Sequence, residues 1–518
     1  MKKTAKTFAL CIILTVLYNN NIFSNESAKE TIKIDKLQEE FSKRIRKYTL
    51  KNGLRVILMQ NGYTPTIAAY LKVGVGSSNE PFDQAGTAHL LEHLLFKGTK
   101  KLGTLDYNRE KTYLEQIKID GERIDHLKRS LKDPLLTNDQ KKELNDKLEH
   151  ISRRQNFVKK ASQKFILSEE DSKVYSLAGQ AGYNAYTSAD VTNYQIKLPK
   201  NRLELWAWLE SERFLNPVFR EFYEERNVIV EERKMRYESR PSSLLYEMYL
   251  KTAYGMSPYG KPVIGFMSNI PLLKWRETKE FFEKNYIPSR MVIAVIGDIE
   301  FEAALEVIKN YFEKIPAKEE PEFPPISFET QKGRKTAVLK VKNSPYIITG
   351  WHKPSINHKD DIVFEVLERL LTDGQTSRLT RRLVIEEKLA SYVSAYNGNP
   401  GKKLPNSFSI FAGTYDEKSY QPFEKIIKEE LEKLANEGPS EEELEKIKNN
   451  VTAAMVHSLA SNAGLADSLT YYELLMNDYT QLFSYIENLQ KVKKEDIQRI
   501  IKEYLIEDNN TTVWIENP

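Results

Sequence analysis

The sequence predicts an α+β fold: two similar domains, each a mixed β-sheet packed with helices, with a charged helical hairpin inserted in the first. Three observations carry this. Short β-like apolar runs alternate with helical patterns in both halves of the chain. A helix, a short polar turn and an apolar strand recur, with Tyr286-Ile287 running into Met291 and Tyr504-Leu505 running into Thr511. One copy of a unit therefore ends near residue 315 and a second at the C-terminus. Between the copies, residues 316–327 contain four prolines and several charges, the composition of a linker.

Composition fits this frame. The chain has 518 residues, 40% hydrophobic and 29% charged, enough apolar content for sizeable cores. Net charge is +4, with Lys and Arg interleaved among Asp and Glu. No basic face stands out, and no nucleic-acid partner is expected.

The N-terminus has the pattern of a secretory signal peptide. Lys2, Lys3 and Lys6 precede a 12-residue apolar stretch, residues 7–18, and cleavage is expected near Ser24. Cys11 is the only cysteine and leaves with the signal, so the mature chain has no disulfides. No other stretch is long and apolar enough to cross a membrane. The expected destination is the bacterial periplasm or the exterior, with no transmembrane segment after signal cleavage.

Further along, residues 54–59 and 66–76 are β-like runs around a turn at Asn61-Gly62. Residues 84–97 form an apolar helix closed by Gly98. Residues 107–165 are charge-rich, with apolar residues at helical spacing, and Asp133-Pro134 splits them into two helices. Thr137 and Gln140 have capping-box spacing for the second. This hairpin is either a solvated arm or a gate or docking arm. Residues 183–198 are extended chain, residues 218–237 a long helix carrying Glu225 and Glu232, and residues 291–299 a strong strand. A helix follows over residues 301–315. Past the linker, residues 337–341, 346–352, 408–413 and 511–515 are strands with helices between them. The predicted organisation is a signal peptide at 1–24, a first domain at 25–315, a linker at 316–330 and a second domain of the same fold at 331–518.

The chemistry concentrates in His89-Leu90-Leu91-Glu92-His93. Histidines four apart on a helix share a face, so both imidazoles reach one ion, and Glu92 stands beside them. This is the inverted zincin spacing, with the glutamate just before the second histidine. Burying two histidines and a glutamate among Leu90, Leu91, Leu94 and Leu95 without a metal carries a large desolvation cost. Catalytic zinc sites take three protein ligands and a water. The remaining five of the seven histidines form no second cluster, so a carboxylate is the natural third ligand. Glu225 and Glu232, seven apart on one helix face, both qualify by spacing, against pairing with Arg226 or Arg233 as the competing role.

At this point the sequence resembles the pitrilysin/insulinase family of zinc metallopeptidases, and within it the branch similar to the mitochondrial processing peptidase. The matching pieces are Gly86-Thr87-Ala88-His89-Leu90-Leu91-Glu92-His93-Leu94-Leu95-Phe96-Lys97-Gly98-Thr99, Asn184-Ala185-Tyr186-Thr187 and Glu225-Arg226-Asn227-Val228-Ile229-Val230-Glu231-Glu232. Ser257-Pro258-Tyr259-Gly260, Tyr286-Ile287-Pro288 and Gly297-Asp298 follow in order. The resemblance implies a zinc-dependent endopeptidase acting on peptides or unfolded polypeptides. It implies zinc held by His89, His93 and Glu232, with Glu225 a supporting carboxylate and Glu231 on the wrong face. Glu92 would take a proton from the attacking water and pass it to the leaving amine. Asn184, Ala185, Tyr186 and Thr187 would lie on an edge strand that pairs with extended substrate. His93 and Glu232 are 139 residues apart, more than in the family's shorter members, and the hairpin accounts for the excess.

The second half has no such motif and is expected to be catalytically inactive. Family counterparts often supply an arginine and, seven residues on, a tyrosine that grip substrate. Aligned on Thr376-Ser377-Arg378-Leu379 and Leu389-Ala390-Ser391-Tyr392, those positions hold Val384 and Ser391, with Arg382 and Tyr392 close by. Either these neighbours compensate or a second subunit brings the pair. The expected assembly is a dimer, with a related subunit lacking the zinc motif as one form of it. The competing expectation is a non-catalytic scaffold or binding subunit acting through the hairpin.

Overall fold

The computed structural model describes residues 41–518 apart from 42, 63, 322–329, 343–344 and 416–419. The predicted signal peptide and the larger part of the predicted linker lie outside the described residues.

Strands β1 (Ile45–Thr49), β2 (Arg55–Gln60), β3 (Thr66–Val73), β4 (Ala181–Thr187), β5 (Thr192–Pro199) and β6 (Met291–Gly297) form one sheet in the order β1-β2-β6-β3-β5-β4. Strands β7 (Lys335–Lys340), β8 (Tyr346–Lys353), β9 (Ala390–Asn399), β10 (Asn406–Thr414) and β11 (Asn510–Glu516) form another, in the order β7-β11-β8-β10-β9. With β1 set aside, the two sheets share one topology. The pairs β2/β6 and β7/β11 are parallel, and every later pair is antiparallel. Both sheets are therefore mixed, as the sequence predicts.

β6 reads MVIAVIG and is buried at every residue, because both faces of the sheet are covered. β4 lies at the sheet's edge, and its exposure alternates along the strand. The single extended stretch expected over 183–198 is two antiparallel strands, because the chain reverses at residues 188–191. There Ser188 exchanges hydrogen bonds with Val191, N to O at 2.8 Å and Val191 N to Ser188 Oγ at 3.1 Å. Strands β1 and β9 were not anticipated. β9 reads ASYVSAYNGN and turns Val393, Ala395 and Asn397 inward, with serine and tyrosine between them.

The helices are α1 (Thr87–Leu95), α2 (Tyr107–Ser130), α3 (Asn138–Ser162), α4 (Glu170–Leu177), α5 (Leu203–Leu215), α6 (Phe222–Arg233), α7 (Pro241–Tyr254), α8 (Trp275–Asn285) and α9 (Phe301–Phe312). In the second half they are α10 (Asp361–Thr372), α11 (Tyr420–Glu437), α12 (Glu441–Ser458), α13 (Asn462–Met476), α14 (Gln481–Lys491) and α15 (Lys494–Tyr504). The helix expected over 84–97 is the shorter α1. The one expected over 218–237 is α6 continued by a π-helical turn, Lys234–Glu238. The one expected over 301–315 is the shorter α9.

One face of the first sheet packs on α1, α5 and α9. Its other face is covered by α13 from the second half, where Leu465, Ala466 and Leu469 meet Ile57, Tyr70, Val292 and Ile296. The exchange is mutual: Leu245 and Tyr249 of α7 pack on Ile348, Val513 and Ile515 of the second sheet. Gly350 makes room for this, since a Cβ there would lie 2.1 Å from the Tyr249 hydroxyl. Polar contacts lock the crossing. Buried Lys72 reaches Asp467 at 2.7 Å, and Tyr249 donates to Ser407 Oγ at 2.8 Å.

Helices α2 and α3 are the antiparallel hairpin. The Thr137 capping box forms, with Gln140 N to Thr137 Oγ1 at 3.3 Å and Thr137 N to Gln140 Oε1 at 2.9 Å. The hairpin is docked on α6 and on the chain before it. Arg220, fully buried, spreads its guanidinium over both Glu110 oxygens and the carbonyls of Lys97, Thr99 and Leu102. Arg226 takes Asp125 of α2 in a bidentate pair at 2.7 and 2.9 Å.

Candidate metal centre

Helix α1 presents its leucines to the core, with Leu90, Leu91, Leu94 and Leu95 buried, and turns His89, Glu92 and His93 toward α6. Its first turn is held from outside: the buried Glu80 carboxylate accepts from Gly86 N at 3.0 Å and Ala88 N at 2.6 Å. Gly86 sits at φ 102°, and a Cβ there would lie 2.7 Å from Ile264 O.

The fold brings His89, His93 and Glu232 together, with one candidate ligand atom from each lying within 4.8 Å of the others. Glu232 Oε2 is 3.7 Å from His89 Nε2 and 3.6 Å from His93 Nε2. A tetrahedral site with bonds of about 2.1 Å separates its ligand atoms by about 3.4 Å, so small side-chain shifts would close this triad on zinc. The chemistry of the donors fits as well. Three carboxylates, from Glu92, Glu225 and Glu232, stand around two imidazoles. A dication meets that charge.

Glu225 lies behind His93, with its Oε2 3.2 Å from Nδ1. This bond favours the tautomer that leaves Nε2 free to bind. Lys97 holds the other Glu225 oxygen at 2.5 Å. Arg236 reaches Glu232 Oε1 at 3.0 Å. The alternative partners for the two glutamates are engaged elsewhere: Arg226 takes Asp125 and Arg233 takes Glu247. Glu231 is exposed and pairs with Lys234 at 2.8 Å.

Electrostatics separates the groups. Burial, aided by His93 and Arg236, presses His89 down to about 3, so it is neutral. Burial pulls His93 down as well, but the Glu225 hydrogen bond and the Glu232 and Glu225 charges raise it above its ordinary value. Burial pushes the Glu92 carboxyl up, opposed by a hydrogen bond from the Thr187 hydroxyl at 2.6 Å. For Glu225 the hydrogen bonds from His93 and Lys97 outweigh burial and hold it below the usual carboxylate range.

Asn184, Ala185, Tyr186 and Thr187 all lie on edge strand β4, whose sheet partner on the other side is β5. Tyr186 is exposed, while Thr187 is turned to Glu92. A cavity of about 500 Å³ opens beside Glu92 and His93, walled in part by Ile166, Leu167 and Glu169 from the chain leaving the hairpin. Sequence reasoning missed Thr187 as a partner of Glu92, and it missed Lys97 and Arg236. The last two had a signal: each lies four residues after a site residue, Lys97 just past the end of α1 after His93 and Arg236 in the π-helical turn that continues α6 after Glu232.

In the second half, Arg382 is tied to Glu429 at 2.9 Å and Glu430 at 3.0 Å. Ser391 donates to Gly413 O at 3.2 Å. Tyr392 is exposed on β9.

Sequence and structure comparisons bear on this geometry. A family model described as Insulinase (Peptidase family M16) matches residues 55–117 and 148–266. A second, described as Peptidase M16 inactive domain, matches residues 276–451. The interruption between 117 and 148 falls in the hairpin. The zinc protease PqqE of Helicobacter pylori is 29% identical over 475 residues, covering 90% of this chain and 92% of that protein. The uncharacterized zinc protease YmxG of Bacillus subtilis is 23% identical over 472 residues, covering 90% and 96%. A solved protease from Helicobacter pylori superposes with a TM-score of 0.74 at 26% identity, covering 91% of this chain and 99% of that one. The periplasmic protease PqqL from Escherichia coli shares the fold, with a TM-score of 0.64 at 18% identity. That match covers 92% of this chain and 48% of PqqL.

Proposed function

The chain belongs to the insulinase family, peptidase family M16, and from that premise we propose that it is a zinc-dependent endopeptidase acting on peptides or unfolded polypeptides. The observation that carries the reading is the convergence of His89, His93 and Glu232 beside a Glu92 held in place by Thr187. His89, His93 and Glu232 would hold the ion, and Glu225 orients His93 behind it. Zinc, when bound, supplies Lewis-acid polarisation of the scissile carbonyl and acidifies water. Glu92 takes the water's proton on its carboxylate and delivers it to the leaving amine. Its burial raises its proton affinity, which suits a group that must both accept and return a proton. β4 offers backbone hydrogen bonds to an extended substrate along its free edge, through Asn184 to Thr187.

The same reading makes the second half a catalytically inactive counterpart and the working enzyme a dimer. Arg382 is occupied within its own half, which favours supply of the substrate-gripping pair by a related subunit without the zinc motif. PqqL, about twice the matched length, is consistent with two such units acting together. The lysine-led apolar N-terminus supports export to the periplasm or beyond.

The test is metal analysis and peptide-library cleavage by the purified chain. Chelation should abolish cleavage, and Glu92→Gln should retain zinc while losing turnover by several orders of magnitude. A Glu92→Gln variant cleaving at the parent rate would refute the assignment.

A further inference from the structure

A second cavity lies away from His89, His93 and Glu232. It has a volume of about 740 Å³ and is bounded by α2, the end of α3, the first turn of α6 and α8. Small-molecule sites span about 300–1,000 Å³ and are mostly apolar with a few polar groups. This one has a floor of buried aromatic rings from Phe214, Phe219, Phe222 and Phe282. Leu114 and Ile117 of the hairpin and the Trp275 indole complete the apolar wall.

Its rim is not charge-balanced. Each lining carboxylate is already taken: Glu115 by Lys118 at 3.2 Å, Glu221 by Lys97 at 3.0 Å, Glu224 by Lys159 at 2.5 Å and Glu283 by Lys279 at 3.4 Å. Lys100 and Lys111 line the same cavity without a carboxylate partner among the described residues. Ser162, also lining it, is 1% exposed, and its hydroxyl has no hydrogen-bond partner. A buried hydroxyl left without a partner is costly, and a ligand oxygen would satisfy it.

We propose that this cavity binds a medium-chain fatty acid, its chain over the aromatic floor and its carboxylate among Lys100, Lys111 and Ser162. The site is made jointly by the hairpin and the metal-binding half, and Phe222 and Tyr223 on its wall stand just before Glu225 in α6.

Calorimetric titration of the full chain with dodecanoate tests this. A saturable one-to-one isotherm is expected, with Kd on the order of 10 μM. Leu114→Trp, which fills the cavity from α2, should abolish uptake. Lys100→Glu combined with Lys111→Glu should weaken it about tenfold or more, with the melting temperature unchanged. Both lysines are on the surface, so the pair serves even if Leu114→Trp does not fold. Absence of binding up to about 1 mM would overturn the proposal. So would dodecanol binding as tightly as dodecanoate, or dodecanoate uptake unchanged in the lysine pair variant.

Discussion

The Thr187 hydroxyl donates to the Glu92 carboxylate at 2.6 Å, tying edge strand β4 to the helix that carries both histidines. One bond thus positions the strand proposed to pair with substrate and the carboxylate proposed as general base. Thr187→Val keeps the shape and removes the donor. A hydrogen bond to a charged group contributes about 1.5–3 kcal/mol, so kcat should fall about ten- to a hundredfold with KM and zinc content little changed. Steady-state peptide cleavage with metal analysis checks this, and an unchanged kcat would reject it.

Glu225 touches the proposed ion only through His93. Glu225→Gln weakens the hold on His93 Nδ1 at 3.2 Å and removes the closer of Lys97's two carboxylate partners, at 2.5 Å, leaving Glu221 at 3.0 Å. Zinc affinity should drop about 10–100-fold, the usual effect of losing a partner behind a ligand. Competition with a chromogenic chelator measures it. His89, His93 and Glu232 variants should lose far more.

Gly121 lies inside α2, where alanine is normally favoured over glycine by about 1 kcal/mol. Here a Cβ would sit 2.0 Å from the Tyr223 ring of α6. Gly121→Ala should therefore destabilise, lowering the denaturant midpoint. In a Tyr223→Ala background the sign should reverse. Stabilisation by Gly121→Ala alone would mean that the hairpin is not docked on α6.

His352 joins the halves, with its Nε2 3.1 Å from Ala253 O at the end of α7. Burial lowers its pKa below the ordinary histidine value, so the folded chain keeps it neutral. The unfolded chain binds its proton more readily, so this contribution is present above about pH 6.5 and is lost as pH falls below it. His352→Gln, which keeps a donor, should flatten the decline in melting temperature between about pH 6.5 and 5. An unaltered slope would exclude His352 as a source of acid sensitivity.

Much of the architecture was legible locally. The buried run of β6, the Thr137 capping box and the leucine-backed HLLEH helix each follow from a few neighbouring residues. β9 was not legible, because serine and tyrosine alternate with its inward residues and blur the period of two. The reversal at residues 188–191 was hidden because a Ser188 side-chain turn makes it, without glycine or proline. Nothing local showed that α7 covers the second sheet and α13 the first. An apolar stripe states that a helix face must be buried, not against which sheet.

The candidate metal chemistry divides along the same line. The sequence by itself determined that two imidazoles and a carboxylate share one helix face, since four-residue spacing and helical geometry suffice. It left Glu225 and Glu232 equivalent by spacing and separated them only through family resemblance. Tertiary structure sets them apart physically: α6 crosses α1 so that Glu232 faces both Nε2 atoms while Glu225 faces His93 Nδ1. It also set Thr187 on Glu92, across 95 residues of chain. Such roles depend on how separate elements cross, which is decided by burial over the whole molecule and not by any local pattern.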